Sequence, residues 1–151
     1  MLWHDGKILN GSEALLTAND RGVSLGDGLF ETLPAFNGKA FLKHEHIARM
    51  KASAEYFSIS FDQNKIQRAI DELSEANKEP GVIRVTLTRG VGERGLAFPK
   101  EPKPEIFATR NPWSHTLAFQ KITLSTSSIR RNATSPTSSH KTLSYLDNVM
   151  A

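Results

Sequence analysis

Lys141 is the residue of this chain with the clearest potential for chemistry. It follows a stretch of small and polar residues at 132–139 and opens an amphipathic segment. Where a loop enters a regular element, a lysine side chain can point inward, and burial lowers the pKa of a lysine by disfavouring its charged form. A neutral amine can attack a carbonyl and form a Schiff base. The position suits covalent chemistry, although the residue alone also fits an ordinary solvated lysine.

Three arginines lie where they could bind an anionic ligand. Arg49 follows the paired histidines His44 and His46, Arg84 lies on the polar side of a predicted strand, and Arg94 lies among glycines. A planar guanidinium suits carboxylate and phosphate because it can donate two parallel hydrogen bonds. The two histidines are two positions apart on a predicted helix and do not share a face, so no metal site is expected.

The composition excludes several classes of function. At 151 residues the chain can bury the core of one ordinary domain. It has no cysteine, no apolar run of the roughly 20 residues that a membrane helix needs, and no signal-like start. The net charge is +3, and the basic residues are scattered among acids. We expect a cytoplasmic protein that binds neither membranes nor nucleic acid.

The first third of the sequence predicts strands and tight turns. Residues 2–9 form two short strands about a turn at Asp5-Gly6. Residues 20–22 are typical of a turn. A strand is predicted from Leu29 to Phe36, and Asn37-Gly38 is a hairpin signal that leads into 40–42.

Two amphipathic helices are predicted next. Apolar residues recur at intervals of three and four over 44–58. Asp62 is a plausible N-cap for a second helix, which Pro80-Gly81 ends. The apolar faces are Ile47, Met50, Ala54 and Phe57 in the first helix, and Ile66, Ala69, Ile70 and Leu73 in the second.

The remaining segments predict further strands and a final helix. Residues 82–89 alternate between apolar and polar side chains, as in a strand with one face towards a cleft. Residues 105–109 and 121–127 are also predicted strands, and 142–151 a helix. Strands, two helices and then more strands indicate an α+β fold.

Four motifs in a fixed order resemble a known family. They are Asp20–Thr32, His44–Met50, Thr88–Gly90 and Lys141–Asn148. Together they resemble the class IV aminotransferases, pyridoxal-phosphate enzymes of fold type IV, from about residue 3 to the end of the chain. The resemblance implies an antiparallel sheet with two helices.

The same resemblance assigns cofactor-binding residues. Lys141 corresponds to the lysine that holds pyridoxal phosphate as a Schiff base, and Arg49 to the arginine that reaches its phosphate. Tyr145, four positions after the lysine and expected on the same helical side, matches a tyrosine that bonds the ring hydroxyl in some members. The acid at the pyridine nitrogen belongs to a second domain in the family.

The resemblance also implies an organisation in domains and subunits. Residues 1–115 correspond to the N-terminal α+β domain and 116–151 to the start of the cofactor-binding C-terminal domain, whose remainder is expected to be absent here. A natural short protein is the alternative. Family members are homodimers, in which residues 90–98 would complete the partner's site.

The substrate, expected to be a small molecule with an amino group, is indicated by four residues and one loop. Phe30 and Leu96 replace a tyrosine and a histidine that D-amino-acid aminotransferases use, whereas Arg94 is kept. Residues 88–95 resemble the RGxGxRG loop of 4-amino-4-deoxychorismate lyases, and Arg84 matches a substrate-facing arginine of branched-chain aminotransferases. We expect the lyase; the alternatives are a D-amino-acid or branched-chain aminotransferase, or a non-catalytic binding domain.

Overall fold

A six-stranded antiparallel sheet organises the computed structural model, which describes residues 1–9, 16–114, 116 and 120–151. Its strands follow the order β2-β1-β6-β5-β3-β4. The α+β fold with an antiparallel sheet is therefore confirmed. The strands are β1 (Leu2–His4), β2 (Lys7–Leu9), β3 (Gly28–Phe36), β4 (Lys39–Ala40), β5 (Gly81–Thr88) and β6 (Glu105–Pro112).

Both predicted amphipathic helices are present. The Asp62 side chain caps α3 by accepting a hydrogen bond from the backbone N–H of Lys65 at 2.9 Å, as predicted. The apolar residues predicted to point inward are buried, except that Phe57 is half-buried at the end of α2. The helices are α1 (Arg21–Leu25), α2 (Lys43–Tyr56), α3 (Gln63–Glu75) and α4 (Leu146–Met150). None of the helices in the described ranges is long and apolar enough to cross a bilayer.

The sheet has two faces of different character. Because side chains alternate along a strand, Leu29 and Leu33 of β3 point to one side and Phe30 and Thr32 to the other. The first side packs against α2 and α3 and forms the core, and we call it the helix face. The second we call the open face. The strand residues in the core are Trp3, Leu29, Leu33, Ala35, Ile83, Val85, Leu87, Ile106 and Ala108.

The free edge of β3 receives a second segment of the chain. The backbone N–H of Phe30 donates to the carbonyl of Lys141 (3.1 Å), and that of Leu143 donates to the carbonyl of Gly28 (2.9 Å). Leu29 and Thr142 lie directly opposite each other in this short antiparallel pairing. Residues 141–143 are therefore extended and held by β3.

This pairing corrects the prediction of a helix over 142–151. The helix α4 spans only Leu146–Met150. The backbone groups of residues 141 and 143 are bonded to β3, and a residue held in an extended conformation cannot also take part in a helix. Periodicity alone does not reveal this distant partner.

Two other local predictions are wrong. Residues 121–127 do not form a strand: Ile122 and Leu124 are exposed, and within the described part of the chain no neighbouring strand supplies the hydrogen bonds that a strand needs. The segment predicted as a turn at 20–22 begins the short helix α1, which Asp20 caps and Gly26 ends with a left-handed conformation.

Candidate functional site

The side chains of residues 140–143 alternate across the edge of β3. His140 and Thr142 point to the helix face, where Thr142 is buried and His140 contacts α2. Lys141 lies opposite Phe30 in the pairing and shares the open face with it. The Lys141 Nζ atom is 4.1 Å from the centre of the Phe30 ring. The side chains of His140 and Thr142 therefore lie on the opposite side of the sheet from the Lys141 amine.

Phe30 is at the centre of a cluster of predicted site residues. Its ring packs edge-on against Tyr145, with centroids 5.1 Å apart, and Lys141 Nζ lies 5.3 Å from the Tyr145 ring. The guanidinium carbon of Arg84 is 3.7 Å from the Phe30 ring centre. A cation above an aromatic ring is attracted by the negative charge of the ring face. The structure thus brings Lys141, Tyr145, Phe30 and Arg84 together, and we call these four residues the Phe30 cluster.

Tyr145 reaches this cluster by a different route from the predicted one. It precedes α4 and does not share a helix with Lys141. The two side chains meet because the extended segment 141–143 turns into α4 above Phe30. The prediction that they lie on one helical side is wrong, whereas their proximity is observed.

The open face around Phe30 is positively charged. Within the described residues no carboxylate lies within 4 Å of the amine of Lys141 or the guanidinium of Arg84. Desolvation by neighbouring protein atoms lowers the pKa of Arg84, against the opposing effect of Tyr145. A guanidinium stays protonated at any working pH. This surface is suited to an anionic ligand.

Arg49 lies on α2 and is bonded to a buried acid. Its Nε and Nη2 atoms donate to the two carboxylate oxygens of Glu31, each at 2.6 Å, and His46 Nδ1 lies 2.7 Å from the same carboxylate. Glu31 is 3% exposed and the Arg49 side chain 57% exposed. The hydrogen bond to Glu31 is the main reason that the pKa of Arg49 is raised. The structure orients Arg49 at the edge of β3 without bringing it into contact with Lys141.

Arg94 lies apart from the Phe30 cluster. It is exposed in the loop between β5 and β6 and lines a cleft of about 620 Å³ together with Glu93, Phe98 and Lys100. Within the described part of the chain, no hydrogen bond, ion pair or cation–π contact joins Arg94 to Phe30 or Lys141. Leu96, in the same loop, is exposed.

Glu31 is a residue of the candidate site that the sequence analysis missed. It is an acid in phase with the apolar residues Leu29 and Leu33, so the alternation of β3 places it on the helix face. A buried carboxylate requires a charged or hydrogen-bonding partner. That alternation could have predicted a cation on the helix that covers β3.

His140 was also missed, and it anchors the segment that carries Lys141. Its Nδ1 is 2.9 Å from Ser53 Oγ, and its ring packs against those of Tyr56 and Phe57 at 4.6 and 4.9 Å. Ser53 donates its one hydroxyl proton to the carbonyl of Arg49. Nδ1 of His140 is therefore the donor to Ser53. No feature of the sequence marks this contact in advance.

Comparison with known proteins gives clear relatives. A D-alanine aminotransferase of Staphylococcus aureus (strain MSSA476) is 40% identical over 110 residues, which are 69% of this chain and 38% of that enzyme. The crystal structure of 4-amino-4-deoxychorismate lyase from Pseudomonas aeruginosa is 33% identical, with a TM-score of 0.66 over 74% of this chain and 40% of that one.

A second solved structure covers nearly the whole chain. The branched-chain aminotransferase of Thermoproteus uzoniensis superposes on 99% of this chain and 54% of its own with a TM-score of 0.82, at 21% identity, which shows a shared fold. This chain spans between 38% and 54% of the length of the curated relatives it matches.

The family match covers most of the chain. Residues 28–151 match the family described as Amino-transferase class IV. This range contains β3, α2 and residues 140–143, which we call the Lys141 segment. Enzymes of this family use pyridoxal phosphate. The chain belongs to the class IV aminotransferases.

Proposed function

We propose that this chain binds pyridoxal phosphate through Lys141, Arg49 and Tyr145. The observation that carries the proposal is the position of Lys141, whose amine projects onto the open face beside Phe30 with no acid within 4 Å in the described residues. Arg49 keeps its Nη1 donors free of Glu31 and is largely exposed, so it can bond a phosphate oxygen as well. These donors fit an aldehyde and a phosphate. When bound, the cofactor would supply an electron sink for a substrate that loses a proton.

Lys141 would then act as the base of the reaction. Once the substrate amine has displaced it, the Lys141 amine is free to take the proton from the substrate carbon that bears the amino group. The rings of Phe30 and Tyr145 lie beside the amine, at 4.1 and 5.3 Å from Nζ to the ring centres, and help to hold it in place.

The charges of the site support 4-amino-4-deoxychorismate as the substrate. Its products, 4-aminobenzoate and pyruvate, each carry a carboxylate, so the substrate carries two. Arg84 lies beside Phe30 and can bind one of them, and Arg94 from the loop of a second copy of the chain, which resembles that of the lyases, can bind the other. The similarity to the lyase of Pseudomonas aeruginosa points the same way.

The proposed reaction is an elimination. Lys141 takes one proton from the carbon that carries the amino group, and the bond between the ring and the enolpyruvyl oxygen breaks. The ring becomes aromatic as 4-aminobenzoate. The leaving group gains a proton at its methylene carbon and is released as pyruvate, so no oxidant or reductant is needed.

A D-amino-acid aminotransferase is the second candidate, with a branched-chain aminotransferase as its variant. The 40% identity to the Staphylococcus aureus D-alanine aminotransferase favours it. In that reaction Lys141 would take the same proton and pass it on without expelling a leaving group; the amino group would remain with the bound cofactor, and the substrate would leave as a keto acid. Phe30 and Leu96 make D-alanine a poor substrate, because neither side chain can donate a hydrogen bond to a substrate carboxylate. Each missing charge-assisted hydrogen bond costs about 1.5–3 kcal/mol, so the loss of two lowers the preference by roughly a hundredfold or more.

A competition assay separates the two candidates. The protein carrying pyridoxal phosphate is given 4-amino-4-deoxychorismate and D-alanine with a keto acid at equal concentrations, and both products are followed, with Lys141→Ala as the blank. We expect 4-aminobenzoate and pyruvate. Fast transamination of D-alanine without 4-aminobenzoate would replace the lyase by the aminotransferase. If no Schiff-base absorbance appears on adding pyridoxal phosphate, the chain is a non-catalytic binding domain.

We also propose that the protein is a homodimer in which residues 90–98 complete the partner's site. The distance of Arg94 from the Phe30 cluster supports this, since the loop faces outward within one chain. In this arrangement residues 1–115 form the N-terminal domain and 116–151 begin the second one. Sedimentation at micromolar concentration tests the dimer, and a monomer that binds cofactor would remove Arg94 from the partner's site.

A further inference from the structure

Two buried arginines converge on one carboxylate beside the loop that carries Arg94. The Nε atoms of Arg21 and Arg89 each donate to Oδ2 of Asp27 at 2.8 Å. The two arginine side chains are 5% and 4% exposed. Burial opposes ionisation of Asp27, but the bonds from Arg89 and Arg21 outweigh it and hold the pKa of Asp27 below its ordinary value. We call these three residues the Asp27 cluster.

The remaining donors of Arg21 bind the backbone of the loop. Nη1 donates to the carbonyls of Ala97 (3.1 Å) and Gly95 (3.3 Å), and Nη2 donates to that of Leu96 (3.4 Å). These three residues directly follow Arg94 in the chain. A single guanidinium therefore holds the backbone on one side of Arg94.

The other side of the loop is held close to Arg21 as well. The backbone N–H of Arg21 donates to the carbonyl of Gly90 at 2.9 Å. A Cβ atom on Gly92 would lie 2.8 Å from Cδ of Arg21, so only glycine allows this approach without displacing the arginine. The loop thus passes around Arg21 both before and after Arg94.

Arg89 connects the same carboxylate to α2. Its Nη1 and Nη2 atoms donate to the carbonyls of Ser58 (2.8 Å) and Phe57 (2.9 Å), where the backbone leaves the helix. The Phe98 ring lies over the Arg89 guanidinium at 4.1 Å. The Asp27 cluster therefore joins the loop to the end of the helix against which His140 packs.

We propose that Arg21 is a positioning residue that sets the orientation of Arg94 towards the substrate carboxylate. This inference rests on the proposed function, in which Arg94 binds substrate. Arg21 touches no reacting atom; it acts through the carbonyls of residues 95–97. Its contribution should therefore appear in substrate affinity and not in the attachment of the cofactor to Lys141.

The test compares Arg21→Lys with Arg68→Lys. Lysine keeps the charge at position 21 but cannot bond Asp27 and three carbonyls with one planar fork. Arg68 is an exposed arginine paired with Glu72 on α3, so Arg68→Lys is the matched control. Hydrogen exchange of residues 91–98 and the kinetic constants for 4-amino-4-deoxychorismate are measured on the protein carrying the cofactor. D-alanine is the probe substrate if the lyase assay is blank.

We expect faster exchange of 91–98 in Arg21→Lys alone, with KM raised about tenfold and kcat within threefold of wild type. Borohydride trapping of the cofactor should be unchanged. Wild-type exchange in the loop, or a released loop with a wild-type KM, would overturn the inference. If Arg21→Lys does not fold, Phe98→Ala is measured instead. Phe98 is exposed, and its ring covers the Arg89 guanidinium of the Asp27 cluster. Its loop should exchange about two- to fivefold faster, and unchanged exchange there contradicts the proposal.

Arg94→Ala separates this inference from the proposed function. A wild-type KM in Arg94→Ala would overturn the role of Arg94 in substrate binding and, with it, its positioning by Arg21. A raised KM in Arg94→Ala together with a wild-type KM in Arg21→Lys would overturn the positioning alone.

Discussion

The helix face and the open face of the sheet are built from the same strands but make different demands on their residues. On the helix face, Leu29 and Leu33 are buried against α2 and α3, and their shape determines how well the core packs. On the open face, Phe30 lies beneath Lys141 and Arg84, and the chemical groups matter more than the volume. Adjacent residues of β3 are thus under different physical constraints.

Glu31 is a charged residue on the otherwise apolar part of β3 that faces the helices. It points to the helix face, yet it is charged, and α2 supplies Arg49 and His46 as its partners. Arg49 itself is largely exposed, and Ser53, one turn further along α2, contacts His140 next to Lys141. A charge in the core is tolerated here because its partner reaches solvent, where a ligand can also bind.

The largest effect is expected from removing the amine of the open face. Lys141→Ala should abolish covalent attachment of pyridoxal phosphate, because none of the other motifs offers an amine at this position. The visible spectrum and the mass after borohydride reduction measure it, with Lys51→Ala on the exposed side of α2 as the control. Trapping at wild-type stoichiometry in Lys141→Ala would show that another lysine is used.

The contrast between the faces can be tested on two consecutive residues. Leu33→Ala should reduce the free energy of unfolding by about 2–5 kcal/mol, since it leaves a cavity in the core. Thr32→Ala, on the open face, should change it by no more than about 0.5 kcal/mol. Denaturant unfolding measures both. Equal losses at the two positions would mean that the open face is packed as tightly as the core.

Arg49→Ala should weaken pyridoxal-phosphate binding by roughly 1.5–3 kcal/mol, the range for a hydrogen bond to a charged group. The fold should persist, although the buried Glu31 loses its strongest partner. Titration of the cofactor gives the dissociation constant, with Arg68→Ala as a control at an exposed arginine. If the dissociation constant does not change, Arg49 serves only to neutralise Glu31.

The smallest effect concerns the anchor on the helix face. His140→Ala removes the hydrogen bond to Ser53 and should weaken docking of the Lys141 segment by roughly 1 kcal/mol. The amides of Phe30 and Leu143, which bond across this pairing, should exchange about fivefold faster. His44→Ala, at an exposed position of α2, is the control. Equal protection in both variants would place the anchor elsewhere, at Thr142.

Local patterns were sufficient to predict most of the elements. The hairpin at Asn37-Gly38, the cap at Asp62 and the alternation of β5 depend on residues close in sequence, and all three are observed. The wrong predictions at 121–127 and 142–145 have one cause in common. Whether such segments form a strand or a helix depends on a distant partner, which one sequence does not reveal.

The site was predicted in its residue types more fully than in its geometry. The resemblance identified Lys141, Phe30, Arg84 and Tyr145, which lie together. It gave no sign that Arg49 would bond Glu31 or that His140 would contact Ser53. Both contacts cross from α2 to another element, so they depend on how the helix packs on the sheet.

The pairing of residues 141–143 with β3 also determines which changes of chain length this protein can tolerate. Within 120–135, where the structure has neither helix nor strand, an insertion changes mainly the closure entropy of the connection, about 0.6 kcal/mol for each doubling of its length. One residue added between His140 and Leu143 would turn the lysine to the opposite side of the strand. A change of length at the edge of β3 would therefore move the amine far more than one in the segment before it.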